Sequence, residues 1–135
     1  MIALDTNVIV RIVTGDDLEQ VKVARELFES ESLWVCKTVL LETEWVLRYS
    51  YQLRPEPIRL AFRKLLGYPR LQVEDRDSVL QALTFFEMGM DFGDALHLAS
   101  LGEAHRFATF DRDLVKTARR SGAGSRIHLL VPPRS

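Results

Sequence analysis

The chain contains a single cysteine, Cys36. An internal disulfide is therefore excluded, and a reducing compartment, the cytoplasm, is expected. No apolar run approaches the roughly 20 residues needed to span a bilayer. No basic segment precedes the first apolar residues, so neither a membrane span nor a secretory signal is expected. Charge of one sign is also lacking: 18 basic and 19 acidic side chains leave a net charge of −1. A polyanionic partner would have to be met by local basic stripes rather than a global excess. His97, His105 and His128 do not fall into a zinc-ligand spacing with Cys36. A G-x-S-x-G elbow and a glycine-rich phosphate loop are both missing. Phe85, Phe86, Met88 and Met90 read as core or interface rather than as a cofactor box.

What is present is a device used twice. Ile2-Ala3-Leu4-Asp5-Thr6-Asn7 is a short apolar run that ends in a carboxylate, a hydroxyl and an amide. A buried parallel strand reads this way when it delivers an acid to its carboxyl end, where ligands bind in open α/β sheets. Arg106-Phe107-Ala108-Thr109-Phe110-Asp111 repeats the pattern. At 135 residues and 47% hydrophobic, the chain suits one domain, 1–135, with a sizeable core.

Helical spacing predicts helices over Val8–Val13, from Asp16 or Asp17 to about Phe28, and from a Thr38 cap to Tyr49. Others are expected from Pro55 to Leu66, from Asp77 or Ser78 to near Gly89, over Asp91–Glu103 and over Leu114–Arg120. In the second of these, Leu18, Val21, Ala24, Leu27 and Phe28 form the inward stripe. Leu33–Cys36, Leu71–Val73, the Phe107 run and Ile127–Val131 read as strands, with Cys36 a buried strand residue. Strands alternating with helices point to a parallel sheet covered on both faces.

The acids are the chemistry-bearing residues. Asp5 is either a turn former or a site acid, with Thr6 and Asn7 placed to fix its rotamer. Glu42 shares a helical face with Thr38, Val39, Trp45 and Val46 and has no cation nearby. That face reads as apolar, and a carboxylate buried there needs a partner or an upward pKa shift. Glu44 has Arg48 four residues on, a helical ion pair, and is expected on the surface. Asp91 and Asp94 fit an N-cap and an N3 acid, although Ala95, Leu98 and Ala99 put Asp94 beside buried positions. Asp111 and Asp113 flank Arg112, and either could cap the helix that follows. Acids converging without basic partners would repel one another, and a hard cation with all-oxygen ligation, Mg²⁺ or Mn²⁺, is the usual compensation. Basic stripes at Arg59 and Arg63, and at Arg112 and Lys116, are either solvated helix faces or holders of RNA phosphates.

Leu-Asp-Thr-Asn at 4–7, Leu-Glu-Thr-Glu-Trp-Val-Leu at 41–47, Asp-Phe-Gly-Asp-Ala-Leu at 91–96 and Thr-Phe-Asp-Arg-Asp-Leu at 109–114 together resemble the PIN-domain ribonucleases. Within them the chain is most similar to VapC-type toxins of type II toxin–antitoxin pairs. The resemblance spans the whole chain and rests on the order and spacing of short motifs. It implies a three-layer α/β/α sandwich with a central, mainly parallel sheet of four to five strands. It also implies a homodimer, an endoribonuclease dependent on Mg²⁺ or Mn²⁺, and a small DNA-binding, VapB-like antitoxin that covers the site. The family's acidic quartet falls on Asp5, Glu42, Asp94 and Asp111. Thr109 takes its hydroxyl position, Asp91 is an auxiliary acid, and Asp113 is the alternative to Asp111. In that mechanism Asp5, Asp94 and Asp111 hold the metal, and Glu42 is a ligand or orients the attacking water.

Rival readings are a PIN nuclease of RNA processing without a toxin role, a non-catalytic RNA- or protein-binding module, and a haloacid-dehalogenase-type phosphatase with Asp5 as nucleophile. The last normally carries a second acid two residues on, where this chain has Asn7.

Overall fold

Every strand in this protein is short and hands the chain directly to a helix or turn, so polar residues gather where strands stop. A computed structural model describes residues 1–134. The strands are β1 (Ile2–Ala3), β2 (Leu33–Val35), β3 (Leu71–Val73), β4 (Phe107–Thr109) and β5 (Ile127–Leu129). The helices are α1 (Thr6–Thr14), α2 (Leu18–Ser30), α3 (Lys37–Tyr49), α4 (Pro55–Leu66), α5 (Arg76–Glu87), α6 (Phe92–Ala99) and α7 (Arg112–Arg120), with a 3₁₀ turn at Gly124–Arg126.

All strand pairs are parallel, as the βα alternation predicts. β2 lies between β1 and β3, with Leu33 in register with Ile2 on one side and Leu71 on the other. β4 pairs separately with β5, Phe107 opposite Ile127. The single sheet of four to five strands is thus realised as three strands plus two. Among the described residues, no ladder hydrogen bond joins β1 to β4. β1 is only two residues long and exposed, contrary to its reading as a buried strand; Leu4, just beyond it, is the buried residue.

Local chemistry sets the helix limits. Gly15 ends α1 with φ 66°, a left-handed conformation that glycine adopts without a Cβ penalty. Asp17 caps α2 by accepting from Gln20 N at 3.1 Å. Leu18, expected to face inward, is 81% exposed because it occupies the first turn, outside the Val21–Ala24–Phe28 stripe. α3 starts one residue before the expected cap. Cys36 is its half-buried N-cap rather than a buried strand residue, and its Sγ lies 3.2 Å from Thr38 Oγ1. α5 starts at Arg76, earlier than the expected Asp77 or Ser78: Asp75 is its N-cap at φ 46°, and Lys37 Nζ holds its carboxylate at 2.7 Å. α6 ends at Ala99 rather than Glu103, and β5 stops at Leu129 rather than Val131.

The core runs from β2 and β3 into the buried faces of α3, α4, α5 and α6. Its aromatic centre is Phe62, Phe86 and Phe92, with ring centroids 5.0 to 6.4 Å apart, the range in which tilted and edge-on rings attract. Phe92 is the first residue of α6, so this cluster anchors the helix end that carries Asp91 and Asp94. Among the described residues, no helix is long and apolar enough to cross a membrane. Truncating the anchor should be severe: Phe92→Ala is expected to remove about 3–5 kcal/mol of stability, read by urea denaturation. A loss below about 1 kcal/mol would mean that α6 is held by other contacts.

Candidate active site

Three of the acids singled out in the sequence sit at helix N-termini, and each does capping work there. Asp5 accepts from Thr6 N at 2.8 Å at the start of α1. Asp91 accepts from Asp94 N at 3.1 Å at the start of α6. Asp111 accepts from Asp113 N at 2.9 Å and Leu114 N at 3.1 Å at the start of α7, while its own N–H donates to Thr109 Oγ1 at 3.0 Å. These bonds fix each carboxylate against a positive helix end. Thr109 therefore positions the backbone before the last acid, and Asp113 lies exposed in the first turn of α7.

Asp94 is half-buried in the first turn of α6. Burial raises its pKa above the ordinary carboxylate value, the charges of Asp91 and then Asp111 raise it further, and His97 opposes them. Asp91, Asp94 and Asp111 thus share one electrostatic field. Asp5 and Glu42 line a common cleft of about 250 Å³ together with Thr6, Asn7, Val10, Arg11, Val46 and Tyr51. Thr6 is buried, and its Oγ1 has no hydrogen-bond partner among the described residues. Gly93, between the two acids of α6, is tightly placed: an added Cβ would lie 3.2 Å from Asp91 Oδ2 and 3.4 Å from Leu41 Cδ1 on α3.

The face of α3 must be corrected. Its inward stripe is Leu40, Thr43, Glu44 and Leu47, so Glu44 is 2% exposed and Glu42 faces solvent. Trp45, taken from its apolar character as an inward residue, is 55% exposed and packs on Tyr49. The expected Glu44–Arg48 pair forms, at 3.1 Å from Nη2 to Oε1, but it forms at a buried carboxylate. Burial raises the Glu44 pKa, Arg48 lowers it, and Asp91 raises it. Arg48 also reaches Asp91 Oδ1 at 3.4 Å. Only the Glu44–Arg48 spacing of this link between α3 and the cap of α6 is visible in the sequence; its reach to Asp91 is a tertiary contact.

Of the basic stripes, Arg112 and Lys116 are exposed on α7. Arg63 is engaged with Glu87 on α5, Nε to Oε2 at 3.1 Å, and Arg59 lies half-buried over the Phe86 ring at 5.0 Å. Among the described residues, no three His, Cys, Asp or Glu side chains stand close enough to cage a cation ready-made. The structure brings Asp5 and Glu42 to one cleft and couples Asp94 to Asp91 and Asp111 through their charges.

The sequence matches the PIN domain family over residues 2–120. The chain belongs to the PIN domain family. PIN domains are generally nucleases and typically use divalent metals. No curated protein and no solved structure matches the chain.

The PIN chain's acids fit a hard divalent cation in their chemistry. The donors are all oxygen, Thr6 Oγ1 is unsatisfied, and none of Asp5, Glu42, Asp94 or Asp111 makes an ion pair among the described residues. The raised Asp94 pKa has a definite sign. With the folded value above the unfolded one, its contribution to stability is full below the unfolded pKa and is lost as pH rises through the folded value. Asp94→Asn should therefore melt higher than wild type at neutral pH in EDTA, by roughly 2–4 °C per kcal/mol of repulsion relieved, less what is lost with an N3 acid, ~0.3–1 kcal/mol. A thermal melt in which Asp94→Asn is the less stable protein, with no response of either to Mg²⁺, would leave Asp94 as a helix-start acid only.

Proposed function

We propose that this PIN domain is a metal-dependent endoribonuclease and the toxin of a type II toxin–antitoxin pair. The observation that carries the nuclease reading is the unpaired state of Asp5, Glu42, Asp94 and Asp111. Glu44 and Asp91 share Arg48, yet these acids have no ion-pair partner among the described residues. Asp5, Asp94 and Asp111 would hold Mg²⁺ or Mn²⁺, with Glu42 as a further ligand or as the base. When bound, such an ion supplies orientation of the phosphodiester, activation of water and stabilisation of the leaving oxygen.

The chain's own groups do the rest. The capping hydrogen bonds keep the Asp5 and Asp111 carboxylates in place before any ligand arrives. This reduces the ordering needed on binding. Glu42, exposed and lining the cleft, would accept the proton of the attacking water as the bond from phosphorus to the 3′-oxygen breaks; that oxygen takes a proton from solvent, leaving 3′-hydroxyl and 5′-phosphate ends. Arg112 and Lys116, exposed on the helix that Asp111 caps, are placed to meet backbone phosphates. Arg59 and Arg63 are weaker candidates because Phe86 and Glu87 occupy them. The toxin role, a VapB-like antitoxin partner and a homodimer rest on the resemblance of the four motifs.

Two experiments test this reading. RNA cleavage should vanish in EDTA and return with Mg²⁺ or Mn²⁺, and Glu42→Gln should cut it by roughly a hundredfold or more; full activity in verified metal-free protein would sink the mechanism. Expression of the wild-type chain alone should arrest growth, and Asp5→Asn should relieve the arrest. Undiminished toxicity of well-expressed Asp5→Asn would separate any toxicity from nuclease action.

A further inference from the structure

The cleft that Asp5 and Glu42 line contains one basic residue, Arg11 of α1. A guanidinium placed to balance two carboxylates would pair with them, and Arg11 does not: its ion pair is with Asp16 Oδ1, at 3.3 Å. It is drawn back by three groups from other parts of the fold. Nε donates to Gln20 Oε1 on α2 at 2.7 Å, and Nη1 donates to Tyr51 Oη at 3.0 Å and to Asp16 Oδ1. Asp16 is itself fixed, accepting from Tyr51 Oη at 2.6 Å and from Thr14 Oγ1 at 2.9 Å. Those hydroxyl bonds, with Arg11 itself, lower the Asp16 pKa, so the anchor stays charged. Nη2 donates to nothing among the described residues, although Arg11 is only partly exposed.

A rotamer-rich side chain held at Nε and Nη1, with its last amino group open and in a cleft with unpaired acids, is built to receive an anion. Resting on the nuclease reading above, we propose that Arg11 is a phosphate clamp: its Nη2 binds a non-bridging oxygen of the RNA backbone in the Asp5–Glu42 cleft, preset by Gln20, Asp16 and Tyr51. A cation here also offsets the repulsion between the acids and the incoming polyanion. Arg11 borders the groove between α1 and α2 as well, beside Glu19 and Gln20, which gives the backbone a path past the acids.

The test is binding of a labelled single-stranded RNA, followed by fluorescence anisotropy over a salt series, in an Asp94→Asn background that does not cleave. Arg11→Met should weaken binding about tenfold, the effect of one charged hydrogen bond. It should also flatten the plot of log affinity against log salt by about 0.7, one phosphate contact on a single strand. Arg11→Lys should restore the slope and only part of the affinity. An unchanged slope in a folded Arg11→Met protein would make Arg11 a tie between helices and overturn the clamp. If Arg11→Met does not fold, Arg11→Lys decides: affinity lowered about threefold at unchanged slope supports the loss of a preset guanidinium donor, and unchanged affinity overturns it. A parent protein that binds and cleaves no RNA would fail the nuclease reading itself, a result distinct from a parent that works and an Arg11 variant that matches it.

Discussion

The constraint on which this structure turns is that a helix N-terminus needs a capping acceptor and a parallel sheet puts helix starts where strands end. A carboxylate at that junction satisfies orphan N–H groups and meets the positive end of the helix. Asp5 and Asp111 sit at such junctions, and Asp91 does the same for α6 without a strand before it. Capping therefore does not compete with a role in catalysis. Each cap bond uses one carboxylate oxygen and orients the other, so the helix pins the acid that a ligand would later engage. Asp94 differs. It is not a cap, it is half-buried beside Asp91, and burial with the charges of Asp91 and Asp111 outweighs the opposing effect of His97.

Much of the fold was legible because its local signals agree. Gly15 and Gly67 stop helices, Pro55 opens one, and short apolar runs mark β2, β3 and β4. What misled was helix phase. Around Glu42 the sequence offers Trp45 as an apparent inward residue, yet Trp45 packs at a tilt against Tyr49 at the surface, while Thr43 and Glu44 share the buried stripe with Leu40 and Leu47. A hydroxyl that bonds back to Val39 O and a carboxylate that meets Arg48 can be buried, and only tertiary contact decides which polar residues are. The left-handed start of α5 at Asp75 was hidden for the same reason, since Lys37, far away in sequence, holds it.

Asp5, Glu42, Asp94 and Asp111, selected from the sequence as site acids, have no ion-pair partner among the described residues, while Glu44, which the sequence placed outside the site, is buried and shares Arg48 with Asp91. Arg48 joins Glu44 to Asp91 and so couples the buried face of α3 to the first turn of α6. Asp91 in turn raises the pKa of Asp94, and the pairing of Asp91 with Arg48 is one that no spacing rule between neighbouring residues could have revealed.

Gly93 has a consequence for spacing between layers. The gap between α3 and α6 is set there by a methyl group that is not present: a Cβ would press on Asp91 Oδ2 and on the Leu41 side chain together. A larger residue would remove no donor and no charge, yet the Asp91 carboxylate and the Leu41 side chain would have to give way by a few tenths of an ångström. The tolerance of this centre is thus measured in tenths of an ångström at a position with no chemistry of its own, and its smallest residue works as a gauge block between two helices.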